Sequence, residues 1–167
     1  MAHNQADTPG TPNTSSFTGK ELRQYGLLFL VVLFSSLLGI ASRPLDQFAM
    51  LWPTNALLLG LFLRSPALVS PTGWLAAALG YILADLTTGS AWSLAIALNL
   101  VNLLSVFIAL TLCLRTVDSE RGFTAPESLS KLFLAVVTGA VIAGLAGGAT
   151  LSLLLGLPTW SNAASWA

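Results

Sequence analysis

The sequence predicts an all-α fold, a polytopic transmembrane helix bundle with about five spanning segments. Hydrophobic residues make up 54% of the 167 residues and charged residues only 8%, whereas soluble domains carry about 25% charged residues. The mean hydropathy is +0.78. The formal net charge is zero, so no basic surface for nucleic acid is indicated. We therefore expect the lipid bilayer as the main partner and no nucleic-acid partner.

The chain begins with a polar stretch that runs from Met1 to about Thr18 and is rich in Pro, Thr, Ser and Asn. Such a composition predicts disorder. Together with the charged residues that follow, residues 1–24 are assigned to a disordered cytoplasmic tail, and residues 25–167 to one membrane-embedded domain. The first apolar run, Tyr25 to Ala41, is predicted to be a helix that stays in the membrane. A cleaved signal peptide ending at Ala41 is the alternative.

The second apolar run contains the sequence Trp52-Pro53-Thr54-Asn55, around which we expect the bundle to assemble. Proline lacks an amide hydrogen and clashes with the preceding turn, so a helix break is predicted at Pro53. A helix from there to just before Arg64 has about 11 residues, about half the thickness of a hydrocarbon core. Non-helical backbone at membrane depth must be buried in protein or line a wet cavity. We therefore expect an interrupted span with other helices packed around it.

Three further apolar runs complete the predicted bundle. The last two exceed the roughly 20 residues that a transmembrane helix needs. The runs are Trp74 to Thr88, Trp92 to Leu114 and Leu132 to Leu157.

The distribution of basic residues predicts the orientation. If the N-terminus is cytoplasmic and every run crosses, six of the seven basic residues face inward and only Arg43 faces outward. Because the loops are short, the positive-inside rule applies to them. The predicted N-terminus is therefore cytoplasmic, and the fifth run ends outside.

Polar side chains within the runs are the candidates for a ligand-binding site. Asn99 and Asn102 are three residues apart and share one face of the predicted fourth helix. Asn55 lies at the break beside Trp52, and Asp85 lies near the far end of the third run. A carboxylate inside a span normally faces a cavity or a partner. We predict a small polar pocket near the outer leaflet, formed by these five residues.

An alternative explains the same polar residues without a ligand. The asparagines would hydrogen-bond between helices, at about 0.6 kcal/mol each. Asp85 would then cap a helix end in the headgroup region. Under either interpretation, Arg43 is the candidate ion-pair partner of Asp85. The sequence leaves both interpretations open.

Two stripes of small residues predict close helix packing. Residues with small side chains recur every four positions on the third run and on the fifth run, which allows helix backbones to approach closely. We expect intramolecular packing at both stripes, with a homodimer contact as the alternative. The stripes are Ala76, Gly80 and Ala84, and Ala140, Gly144 and Gly148.

The chain offers little for catalysis. No histidine lies in an apolar run, and no spacing of Cys and His typical of a metal site occurs. No glycine-rich phosphate loop follows a strand pattern. Asp85 is the only carboxylate in these runs, so it has no second carboxylate with which to form an acid-base catalytic pair. We expect no catalytic residue, metal or cofactor, and hence no enzymatic activity of this chain.

The segment from Phe48 to Ala56 resembles the Trp-Pro-Pro-Asn-Gly signature of the bacterial membrane-associated sensor domain, type one of the MASE group. Thr54 stands here in place of the second proline, and Ala56 in place of the glycine. The spacing to the fourth run with its two asparagines, and on to Arg115, is also similar. The resemblance covers about residues 26–167, and its specific part is Trp-Pro-x-Asn.

The resemblance implies an integral sensory input module of a bacterial signalling receptor. In that family about eight helices precede a diguanylate cyclase, a cyclic-di-GMP phosphodiesterase or a histidine kinase of a two-component system. Residues 25–167 would correspond to about five of these helices, with the output domain missing or on a separate chain. The implied location is the bacterial inner membrane. A small transporter or a substrate-binding membrane subunit is the alternative function, because these also place polar groups at interrupted helices.

Overall fold

The computed structural model describes residues 18–42, 53–116 and 126–155. Within these ranges the chain forms five α-helices and one short 3₁₀ helix, and it has no strand. The predicted all-α fold is therefore confirmed. The helices are α1 (Gly19–Ala41), α2 (Pro53–Arg64), the 3₁₀ helix (Pro66–Leu68), α3 (Pro71–Thr87), α4 (Trp92–Thr116) and α5 (Pro126–Leu155).

Three of the helices are long and apolar enough to cross a membrane. They are α1, α4 and the Pro126–Leu154 part of α5, whose mean hydropathies are 2.0, 2.3 and 2.1. Helices α2 and α3 have 12 and 17 residues, which at 1.5 Å per residue gives about 18 and 25 Å. Both are shorter than the roughly 20 residues of a typical span. A membrane protein with three such helices is supported, and the count of five crossings stays a prediction.

Helix α1 begins earlier than the apolar pattern predicts. Thr18 is its N-cap, and a capping box links the Thr18 hydroxyl to the Glu21 backbone and the Glu21 carboxylate to the Thr18 backbone. Such reciprocal bonds satisfy amides that a helix start leaves free. The prediction of disorder is therefore wrong for residues 19–24, which form the first turns of α1. The rest of the predicted tail lies outside the described residues.

Neighbouring helices along the chain run in opposite directions. The Tyr25 hydroxyl lies 3.0 Å from the Ser70 hydroxyl, which brings the start of α1 to the start of α3. The Trp74 ring, in the first turn of α3, packs edge-on against Phe107 in the second half of α4, with ring centroids 6.1 Å apart. Helices α1 and α3 are therefore parallel to each other and antiparallel to α4.

Two tightly packed helix pairs form most of the bundle, α1 with α3 and α4 with α5. At Gly80 of α3, an added Cβ would lie 2.9 Å from the Phe29 carbonyl oxygen of α1. At Gly139 of α5, it would lie 2.7 Å from the Ser105 carbonyl oxygen of α4. Gly80 belongs to the predicted stripe. On α5 the close approach falls one residue before the predicted Ala140, because the crossing point depends on how the helix is rotated.

The surface of the described bundle is apolar, and several polar side chains are inside it. Large hydrophobic side chains such as Phe34, Leu100 and Phe133 are more than half exposed. Buried polar residues include Asp85 and Asn99. Exposed apolar faces of this extent are typical of helices that face lipid, and buried polar residues of helices that pack on one another in it.

One end of the bundle carries every basic residue that the structure describes. The starts of α1 and α3 meet the ends of α2 and α4 there. Leu132, near the start of α5, packs against the core cluster that contains Ala109 and Leu110 from the second half of α4, so the start of α5 lies at the same end. We call this the basic end, and the opposite end the network end. The basic residues are Lys20, Arg23, Arg64, Arg115 and Lys131.

Candidate functional site

A chain of hydrogen-bonded polar side chains connects three helices at the network end. Its members come from the start of α2, the second half of α3 and the first half of α4. All except Asn55 are at least nine-tenths buried, and Asn55 is half-buried. We call the set Asn55, Tyr81, Asp85, Asn99 and Asn102 the polar network.

Asn99 is the link between α3 and α4. Its side-chain nitrogen donates to the Asp85 carboxylate oxygen Oδ2 at 2.6 Å and to the Ala95 carbonyl oxygen at 2.8 Å. The second bond holds the amide against its own helix, so its position toward α3 is fixed. Asn99 is 1% exposed and Asp85 is 8% exposed. A carboxylate in such surroundings needs donors of this kind, since an unpaired charge among apolar helices is costly.

The connection between α3 and α4 places these two residues opposite each other. Asp85 lies in the last turn of α3, and the backbone amides of Thr88 and Ser90 both donate to its carbonyl oxygen. Gly89 has a φ of +93°, a conformation that glycine adopts without steric cost. The chain therefore reverses within four residues, and α4 returns along α3.

Asn55 joins α2 to both of the other helices. Its side-chain oxygen accepts a hydrogen bond from the Tyr81 hydroxyl of α3 at 2.5 Å. Its side-chain nitrogen donates to Asn102 Oδ1 of α4 at 3.5 Å, the longest bond of the polar network. Asn102 in turn donates to Asn99 Oδ1 at 3.2 Å. The start of α2 is thus attached to α3 by a short bond and to α4 by a long one.

Pro53 sets where this attachment begins. The described part of α2 begins at Pro53, and proline is well suited to a first turn because its missing amide costs nothing there. The residues before it lie outside the described ranges, so the predicted break stays a prediction. Asn55 lies in the first turn of the described part of α2. The neighbouring Thr54 is fully buried, and its hydroxyl accepts a 3.4 Å hydrogen bond from Ser36 of α1. Two consecutive polar residues thus fasten the start of α2 to three helices.

The structure brings together four of the five predicted ligand-binding residues, namely Asn55, Asp85, Asn99 and Asn102. Trp52 lies outside the described residues, as does Arg43, the predicted partner of Asp85. The predicted proximity of the four residues is therefore observed, and their role in binding a ligand stays a prediction. These hydrogen bonds between helices are equally what the alternative interpretation predicts, in which the asparagines link helices and bind no ligand.

Tyr81 is the functional candidate that the sequence reasoning missed. It is 1% exposed and lies one helical turn before Asp85, so both side chains share a face of α3. That spacing of four residues was a readable signal, because a tyrosine inside an apolar run needs a partner for its hydroxyl. The aromatic ring supplies packing and the hydroxyl supplies the bond to α2.

The polar network offers hydrogen-bonding groups of both kinds, because amide side chains carry both donors and acceptors. Among the described residues, no group of three or more His, Cys, Asp or Glu side chains comes together as a metal site would require. The chemistry available at the polar network is therefore hydrogen bonding by amides, one phenol and one carboxylate.

Comparison with protein-family models, with curated proteins and with solved structures finds no match to this chain.

Proposed function

We propose that the chain is an integral sensory input module of bacterial signal transduction that crosses the inner membrane five times. The alternating helix directions and the collection of all five described basic residues at one end support this topology, since the positive-inside rule puts such an end in the cytoplasm. In this topology α2 and α3 complete their crossings with adjacent residues. The polar network then lies in the outer half of the membrane.

The observation that carries the proposal is the way Asn55 holds α2. Helix α2 is the shortest of the five α-helices described, and its contacts with α1 and α4 are less extensive than those within the two tight pairs. Its start depends on the bonds from Asn55 to Tyr81 and to Asn102. A ligand that takes over the Asn55 amide would release α2 from α4 and leave the bond between Asp85 and Asn99 intact.

Such a release becomes a signal only if the ligand binds the two packings with different affinities. A small polar molecule fits this requirement, because the amide of Asn55 is half-buried while the rest of the polar network is enclosed. The shift of α2 would pass to a C-terminal output domain or to a separate output protein. The resemblance of the Trp52–Asn55 segment favours a diguanylate cyclase, a cyclic-di-GMP phosphodiesterase or a histidine kinase as that output.

The first test is the DNA downstream of this coding sequence. An in-frame or adjacent gene for one of these three outputs is the expected result. Adjacent genes for an ATPase or a periplasmic binding protein would instead support a transporter.

The second test is Asn55→Leu in the receptor assembled with its output protein. We expect loss of the output response, measured as cyclic-di-GMP level or kinase phosphorylation, with normal insertion into the membrane fraction. Gly60→Leu is the matched control, because it adds the same side chain to α2 at a position where nothing lies within 4 Å. Loss of insertion in Asn55→Leu alone would assign the polar network a purely structural role.

A spectroscopic measurement addresses the two packings directly. Spin labels at Leu57→Cys in α2 and Leu100→Cys in α4, both on exposed positions, should show two distance populations in a Cys113→Ala background. A control pair at Leu100 and Leu145 reports on α4 and α5, which pack tightly, and should show one. A single narrow distance for both pairs under all conditions would contradict the proposed movement.

A small membrane transporter is the second candidate, and the burial of Asp85 favours it. Ionisable residues enclosed within apolar helices are frequent in proton and ion pathways. Purified protein in liposomes would then carry protons or a cosubstrate across the membrane, and Asp85→Asn would abolish that flux. A sensor would show no flux in either form.

A further inference from the structure

A cleft at the basic end lies outside the polar network and has a different chemistry. It has a volume of about 210 Å³ and lies between α1, the end of α2 and the connection to α3. This volume is below the roughly 300–1,000 Å³ of pockets that enclose a whole small molecule. The residues that matter are Gln24, Leu27 and Val31 of α1, Leu61 of α2, and Ser65 and Ala67 of the connection.

The lining of the cleft becomes wholly apolar along the helix axis. Its polar members, Gln24 and Ser65, lie at the basic end, beside the apolar Ala67 and Leu68 of the connection. Leu27, Val31 and Leu61 lie deeper along α1 and α2 and are apolar. An amphiphilic molecule with a polar group at the surface and a hydrocarbon chain below it matches this gradient.

Two exposed arginines lie beside the lining of the cleft. Arg23 is one helical turn before Leu27 on α1, and Arg64 is one turn after Leu61 on α2, so each shares a helix face with a lining residue. In the part of the chain that the structure describes, no ion pair is recorded for either guanidinium. Since α1 is long enough to cross the membrane, its charged start lies at the level of the lipid headgroups. Arginine is well suited to phosphate there because it can donate two parallel hydrogen bonds.

We propose that this cleft is a binding site for one anionic phospholipid. An acyl chain lies against Leu27, Val31 and Leu61, and the phosphate is held by Arg23 and Arg64. The proposal does not rest on the sensory function, and it holds for whichever leaflet contains the basic end. It links the position of α2 to lipid composition, because the site includes the end of the same helix whose start carries Asn55.

The test is titration of the detergent-solubilised chain with phosphatidylglycerol or phosphatidylcholine, followed by native mass spectrometry. We expect one saturable phosphatidylglycerol site of higher affinity than for phosphatidylcholine. Arg23→Gln with Arg64→Gln should raise the Kd for phosphatidylglycerol by about fivefold for each charge removed, with little change for phosphatidylcholine. The matched control is Arg115→Gln with Lys131→Gln, which removes the same charge from the same end and should leave the Kd within about twofold.

A second variant distinguishes lipid binding inside the cleft from electrostatic attraction to the two arginines alone. Ala67→Phe keeps both arginines and fills the cleft from the connection, so it should weaken both lipids. Leu27→Phe fills it from α1 and serves the same purpose if the first variant does not fold. Equal losses in the two charge variants, or full phosphatidylglycerol affinity with the cleft filled, would overturn the proposal. A dimer without bound lipid would overturn it as well, since the occupant would then be a second copy of the chain.

Discussion

The two ends of the bundle use polar side chains in opposite ways. At the basic end, Ser70 caps α3 by accepting a 3.1 Å hydrogen bond from the Gly73 amide, and Tyr25 of α1 contacts that cap. At the network end, amide side chains such as Asn55 bridge from one helix to another. The bond from the Gly73 amide satisfies a backbone donor that has no partner within its own helix. The bonds at the network end join side-chain amides, which are able to donate to or accept from other groups. We therefore expect the largest loss of stability from overpacking at the basic end, and a change in helix packing from substitutions at the network end.

The largest effect is expected from Gly73→Ala at the basic end. A Cβ there would lie 1.9 Å from the carbonyl oxygen of Leu68, which belongs to the backbone of the 3₁₀ helix, so backbone and not a flexible side chain would have to shift. Overpacking of this severity costs about 3 kcal/mol. The free energy of unfolding, measured by SDS titration in mixed micelles, should fall by this amount.

Gly60→Ala provides the control for this substitution. It is also a helical glycine replaced by alanine, but nothing lies within 4 Å of the added Cβ. The variant should gain about 0.5–1 kcal/mol, because alanine is the better helix former. Similar free energies for the two variants would show that the connection between α2 and α3 adjusts freely, and the contrast between the two ends would fail.

A smaller effect is expected from Asn99→Leu at the network end. The change removes the donor to Asp85 Oδ2 and the bond to the Ala95 carbonyl. Leaving a buried polar group without its hydrogen-bond partner costs about 2 kcal/mol. The same SDS titration measures it. Asp85→Leu on its own should also destabilise, whereas the double variant should be more stable than the sum of the two losses predicts. Strict additivity would mean that the two side chains do not interact.

The sequence predicted the network end better than the basic end, and the reason is physical. Spacing along a helix shows which side chains share a face, and this was enough to group Asn99 with Asn102. Pro53 stands in the first turn of the described part of α2, a position that proline favours for local reasons. Asp85 and Asn55 stood out because polar groups are rare in apolar runs. These signals depend on nearest neighbours along the chain, which a sequence contains directly.

The close contacts could not be predicted in the same way. Whether Gly139 or Ala140 meets α4 depends on the rotation and crossing angle of two helices, which are set by all contacts of the pair at once. Gly73 has no periodic pattern around it that predicts a contact with Leu68. The start of α1 is a different case, since Thr18 and Glu21 form a capping-box pattern that an apolar periodicity does not include.

The two substitutions with the smallest expected effect on stability give the sharpest comparison between the two ends of the bundle. Tyr81→Phe and Tyr25→Phe each delete one hydroxyl, which is bonded to Asn55 at the network end and to Ser70 at the basic end. Both variants should lose only about 0.6 kcal/mol, the average for hydrogen bonds between membrane helices. Because the losses are equal, any difference in signalling cannot be assigned to stability. We expect Tyr81→Phe to raise the resting output, since α2 loses its short bond to α3, while Tyr25→Phe leaves it unchanged. An equal response of both variants would mean that the start of α2 is not the element that moves.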